Sequence, residues 1–199
     1  MVQRLVCLVI GYLCGCVLCS DIVARRISGK SAFELGDGNP GMANVGHELG
    51  TKAGIACLVG DILKTVFAIT LAHALFPPLG TLAVGWAGLG STLGHVFPFW
   101  HGFKGGKGVT TLSSALVLID WRGAIIAAFV AAAAIYLSGY LSIAAVAAAG
   151  AFVIWAVVVM PGEGLLLAVL AFALALYGQW SNLRGIGDGT AKRDFARRK

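Results

Sequence analysis

Residues 94–111 read GHVFPFWHGFKGGKGVTT and interrupt a chain that is otherwise dominated by apolar residues. Two lysines (Lys104, Lys107), two histidines (His95, His101) and a cluster of glycines (Gly102, Gly105, Gly106, Gly108) gather there. Glycines let backbone amides approach a ligand closely, and lysines supply point charges for an anion. The combination points to a phosphate cradle, and its apolar flanks set it at the edge of a membrane.

Composition supports that placement. The chain has 199 residues, 58% hydrophobic and only 12% charged, where a soluble domain is about 45–50% apolar and about 25% charged. The expectation is an all-α integral membrane protein forming one domain over residues 1–199, with a basic tail from 180 to 199. A membrane helix needs about 20 apolar residues. Apolar runs at 4–24, 53–76, 79–100, 108–119, 123–138, 141–160 and 164–178 give about seven spans, and residues 27–52 read as a polar loop. Pro77-Pro78, Asp120-Trp121-Arg122 and Pro161-Gly162-Glu163 mark breaks. A five-span arrangement, with the two short runs fused into a re-entrant element, is the competing reading.

Lys and Arg decide the orientation. With seven spans, Arg25, Arg26, Lys30, Lys52, Lys104, Lys107, Arg184, Lys192, Arg193, Arg197, Arg198 and Lys199 share one side, and Arg4 and Arg122 the other. The positive-inside rule then puts the N-terminus outside and the C-terminus in the cytoplasm. The first run is read as a retained helix rather than a cleaved signal, because it is long enough to span and further spans follow. Cys7, Cys14, Cys16, Cys19 and Cys57 are read as small apolar packing residues. Glycines in the spans, among them Gly85, Gly88, Gly90 and Gly94, permit close helix approach.

Several further polar stretches bear on chemistry. Residues 35–45, LGDGNPGMANV, form a tight turn in which Asn39, Asn44 and backbone amides either hold an oxyanion or merely connect helices. Asp61 and Lys64 share a helix face, as a structural ion pair or with Lys64 facing a substrate cleft. Ser142 stands at a helix start, where serine usually caps. Residues 179–190, QWSNLRGIGDGT, gather Asn, Arg and Thr beyond the last span. The central stretch fails the P-loop pattern, being one residue short before Gly-Lys and having Gly108 where Ser or Thr is required, so nucleotide hydrolysis is excluded. A transporter is disfavoured by the absence of an internal repeat. The polar stretches all fall on one face in the seven-span reading, which suggests a site for a phosphorylated substrate with an apolar one entering from the bilayer.

These residues resemble the bacterial acyl-phosphate:glycerol-3-phosphate acyltransferase family. GDGNPGMANV is similar to its first signature, GHVFPFWHGFKGGKGV to its second, and YLSI with QWSNLR to its later ones. The resemblance implies a membrane enzyme of the bacterial inner membrane, its site facing the cytoplasm. It would move a fatty acyl group from acyl phosphate to the 1-hydroxyl of glycerol-3-phosphate, giving lysophosphatidic acid and phosphate. It implies Lys104, His95, Ser142 and Asn182 as catalytic residues. Gly38, Asn39, Gly41, Asn44, Lys64, Gly105, Gly106, Lys107 and Gly108 would hold substrate or phosphate. No cofactor, metal or nucleic acid is implied; the partners are the two substrates and the bilayer. Asp37, His47 and Gln179 stand where the family usually has serine, arginine and histidine, and Ala43 and Ala191 replace its threonine and glutamate. These departures leave a paralog with another acceptor, or a non-catalytic lipid- or phosphate-binding protein, as alternatives.

Overall fold

A computed structural model describes residues 1–191 and 193–194, and helices dominate it, with no strand among the described residues. Lys192, Arg197, Arg198 and Lys199, which enter the charge count above, lie outside the described residues. The chain forms two compact units, 1–115 and 116–199.

The first unit holds α1 (Val2–Gly15), α2 (Cys19–Ser28), α3 (Met42–Leu49), α4 (Thr51–Leu75) and α5 (Thr81–Val96). The helix α6 (Val109–Ile119) begins in it and crosses the boundary. The first apolar run therefore breaks at 16–18, where one continuous span was expected, and the expected loop at 27–52 contains α3. α2 ends at Gly29, which takes the left-handed conformation with φ 72° and closes the last turn onto the Arg25 carbonyl.

α1 and α5 interlock through glycine. A Cβ on Gly11 or Gly15 would strike the carbonyls of Ala87 or Ser91, and one on Gly90 or Gly94 would strike those of Leu8 or Tyr12. Both helices thus present two glycines four residues apart to each other's backbone, the small-residue packing that membrane helices use in place of hydrophobic burial. A buried polar layer joins α4 to α5. Thr65 Oγ1 donates to its own helix at Asp61 O (2.8 Å) and lies 3.0 Å from Ser91 Oγ.

The second unit holds α7 (Trp121–Ser138), α8 (Leu141–Val159) and α9 (Glu163–Gly187). Asp120 caps α7 by accepting from the Arg122 and Gly123 amides (2.9 and 3.5 Å). The Arg122 guanidinium bonds the same carboxylate (3.1 Å) and holds the Asp120 carboxyl below the usual carboxylate range, desolvation opposing it. Gly139 ends α7 with φ 78°.

Five stretches are long and apolar enough to cross a bilayer: Val2–Ser28, Thr51–Leu75, Trp121–Ser138, Leu141–Val159 and Glu163–Gly187. α5, at 16 residues, reaches about 24 Å at 1.5 Å per residue, and α6 is shorter still. The expected all-helical membrane class stands; α9 runs past the expected end at 178 to Gly187.

Candidate active site

α5 ends because Pro98 cannot continue it, and the chain folds back beneath the helix end. Residues 99–101 make one 3-10 turn, and Gly102 and Phe103 then both adopt positive φ (62° and 60°). Such values cost a side-chain-bearing residue energy, so Phe103 is held there by its surroundings. Phe103 N donates to Pro98 O (3.0 Å), and Gly106 N donates to His95 O (3.0 Å). A Cβ on Gly105 would collide with the His95 carbonyl, and one on Gly106 with the His95 imidazole. The turn therefore sits directly on His95, and only glycine fits. Lys104 is exposed at its outer side, and α6 opens just beyond Gly108. Its first amides have no preceding helical turn to bond, which favours an anion there.

The aromatic residues of the stretch anchor it. Trp100 Nε1 donates to Cys16 O (2.9 Å), and Tyr12 Oη donates to Phe97 O (2.8 Å). Cys16 lies at the α1–α2 break, so an indole takes a carbonyl that the interrupted helix leaves exposed.

Below the turn lies a buried charged cluster. Asp61 Oδ1 is 2.8 Å from Lys64 Nζ and 3.6 Å from His95 Nδ1. Lys64 Nζ also donates to Val17 O (2.6 Å), again at the helix break, and lies 3.0 Å from His95 Nδ1. The side chains of Lys64 and Asp61 are 7% and 2% exposed. Lys64, read from the sequence as either an ion-pair partner of Asp61 or a residue facing a substrate cleft, lies beside Asp61, Val17 O and His95.

The first polar loop is built around Asn44. Its Nδ2 donates to Leu35 O (2.9 Å) and Asn39 O (3.0 Å), while Asp37 N donates to its Oδ1 (3.2 Å). Its amide thus closes the loop upon itself. Asp37 Oδ1 accepts from Asn39 N (3.0 Å), making a local turn. Gly38 has φ 74°, and Gly41 precedes α3. His47 is exposed and lies 3.3 Å from Glu48 Oε1. Asp21 ties the loop to α2, accepting from Ser31 Oγ (2.5 Å), Ala32 N (2.9 Å) and Arg25 Nε (2.8 Å). Asp21 and Ser20, whose Oγ donates to Pro40 O (2.6 Å), were not among the expected site residues. A carboxylate inside an apolar run was the available signal for Asp21.

Phe33 meets His101, with ring centroids 5.4 Å apart. This contact brings the first polar loop to the lysine-glycine turn.

In the second unit, Ser142 is buried in the first turn of α8, and Gln179 is buried on α9 with Asn182 three residues on. Beyond them the chain folds back, as Thr190 N and Ala191 N both donate to Gly185 O (2.8 Å each). Asp194 Oδ2 accepts from Leu141 N (2.8 Å) at the start of α8.

The sequence pattern of the glycerol-3-phosphate acyltransferase family matches residues 5–189. The chain belongs to that family. It is 43% identical to glycerol-3-phosphate acyltransferase 1 of Lactobacillus johnsonii over 125 residues, 63% of this chain. That match spans 60% of the relative's length. Against glycerol-3-phosphate acyltransferase of Clostridioides difficile it is 31% identical over 188 residues, covering 93% of this chain and 92% of the relative. Its fold is similar to the crystal structure of PlsY, an integral membrane glycerol 3-phosphate acyltransferase, in the glycerol 3-phosphate form. There the TM-score is 0.84 at 27% identity, with 97% of this chain and 96% of that chain covered. The lysophosphatidic acid form of the same protein gives a TM-score of 0.82.

Proposed function

We propose that the chain transfers a fatty acyl group from acyl phosphate to the 1-hydroxyl of glycerol-3-phosphate. The contact between Phe33 and His101 carries this reading, because it joins the first polar loop to the lysine-glycine turn in a chain of this family. The first amides of α6, with Lys104 and Lys107, hold phosphate and steady developing charge; Gly38, Asn39 and Gly41 serve the first loop. The hydroxyl oxygen forms the new ester bond as the acyl carbon–phosphate oxygen bond breaks. Phosphate leaves with the electron pair, and a phosphate oxygen takes the hydroxyl proton. No protein base is required, since the donor is already activated and positioning supplies the rate.

Ser142 and Asn182 belong to this proposal through the family resemblance. So do a site on the cytoplasmic face of a bacterial inner membrane and a single working domain from 1 to 199 with a basic tail. The family match, which runs across both units, supports the single domain. Incubating the purified chain with acyl phosphate and glycerol-3-phosphate, with mass spectrometry of the lipid product, tests the reaction; lysophosphatidic acid is the expected product.

One observation favours a second acceptor. Asp37 places a carboxylate in the first loop and occupies the Asn39 amide at 3.0 Å. Negative charge there disfavours phosphate. A panel of phosphorylated and neutral glycerol acceptors in the same assay separates the two readings.

A further inference from the structure

The reaction proposed above leaves the buried cluster of Asp61, Lys64 and His95 without a role, and its geometry limits what it does. The Lys64 side chain supplies N–H donors. At 3.0 Å it donates to His95 Nδ1, which must therefore carry a lone pair. Asp61 Oδ1, at 3.6 Å from the same nitrogen, is too distant to accept a hydrogen bond from it. Lys64 thus sets the tautomer: the proton of the neutral imidazole sits on Nε2. That nitrogen lies against Gly106, where an added Cβ would strike it. The His95 carbonyl holds the Gly106 amide from the backbone side (3.0 Å). Asp61 neutralises the buried ammonium, and Val17 O, at the α1–α2 break, fixes its direction (2.6 Å).

We propose that Lys64 and Asp61 are positioning residues for the lysine-glycine turn, holding His95 as the Nε2–H tautomer with that nitrogen seated under Gly106. This rests on the acyltransferase reading for its kinetic consequence only. A plain structural ion pair gives a different outcome. Removing one partner strands a buried charge and destabilises the fold, whereas replacing both with apolar residues of similar size restores stability. A purely structural pair would then leave activity restored as well.

The test uses the full chain in detergent with two readouts. The first is the ¹⁵N spectrum of histidine-labelled protein, with the His95 signal identified by its loss in His95→Gln. The wild-type protein is expected to show a neutral imidazole protonated at Nε2; a signal protonated at Nδ1, or at both nitrogens, overturns the proposal. The second is the double variant Asp61→Leu/Lys64→Met. It is expected to fold, to raise the KM for glycerol-3-phosphate about tenfold as the turn shifts off its support, and to change kcat less. A folded double variant with wild-type KM also overturns the proposal. If the double variant does not fold, the wild-type spectrum decides. If the wild-type chain makes no lysophosphatidic acid, the reaction fails while the tautomer is still judged by the spectrum.

Discussion

Phe33 and His101 face each other with ring centroids 5.4 Å apart and planes tilted by 36°. One belongs to the segment that Asp21 and Asn44 hold in place, the other to the turn that follows α5. The pair is therefore the point at which two loops, distant in sequence, are brought into register. An aromatic pair contributes about 0.5–1.5 kcal/mol beyond its area burial. Phe33→Ala and His101→Ala should each raise the KM for glycerol-3-phosphate by several-fold, and the double variant should cost less than the product of the two. Independent, multiplicative effects in steady-state kinetics would mean that the rings do not act together.

The glycines of the turn should differ in tolerance. Gly106 has the His95 imidazole where a Cβ would go, while Gly102 has open space around it but φ 62°. Gly106→Ala must push the turn off His95, so acyl transfer should fall by more than tenfold. Gly102→Ala meets only the left-handed backbone penalty of roughly 1–2 kcal/mol. Rates for both variants, normalised to folded protein, check the order; equal losses would count against the packing argument.

The α1–α5 contact should be the least forgiving part of the first unit. Gly94 lies on the backbone of Tyr12 and Cys16, so Gly94→Leu separates the helices and frees the Tyr12–Phe97 and Trp100–Cys16 bonds. Thermal unfolding in detergent should show a Tm drop larger than for Gly187→Leu, which meets nothing within 4 Å.

Asp120 gives a pH dependence with a definite sign. Its carboxyl is held low chiefly by the Arg122 guanidinium. A carboxylate with a depressed folded value contributes stability above the unfolded value, near pH 4, and loses it as pH falls through the folded value. Stability of the wild-type chain relative to Asp120→Asn should be constant from about pH 8 to 5 and shrink only below about pH 4. Asp120→Ala, which also removes the cap, should cost about 1 kcal/mol at neutral pH. Denaturation at several pH values measures both.

Much of this architecture was legible from chain chemistry alone. Pro77-Pro78, Pro161-Gly162 and the Asp120 break all end helices where expected, because their effect on the backbone is local. The break at 16–18 was invisible, since an apolar run carries no mark of a missing hydrogen bond. Lys64 was legible only in part. Its pairing with Asp61 follows from helical spacing, but its third partner, Val17 O, exists only because α1 stops. Asn44 shows another limit: its amide suits a phosphate or a loop carbonyl equally, and only the folded loop decides for Leu35 and Asn39. α3 was hidden by Gly46, the glycines that flank it and its mixed polarity.

The most direct test of the central claim is acyl transfer by the purified chain and by Lys104→Ala, measured as lysophosphatidic acid formed from acyl phosphate and glycerol-3-phosphate. The wild-type chain should form it, and Lys104→Ala should lose at least about a hundredfold in rate, as removal of one charge-stabilising donor does, while remaining folded. Phosphate release without lysophosphatidic acid, or a near-wild-type rate in Lys104→Ala, would contradict the account.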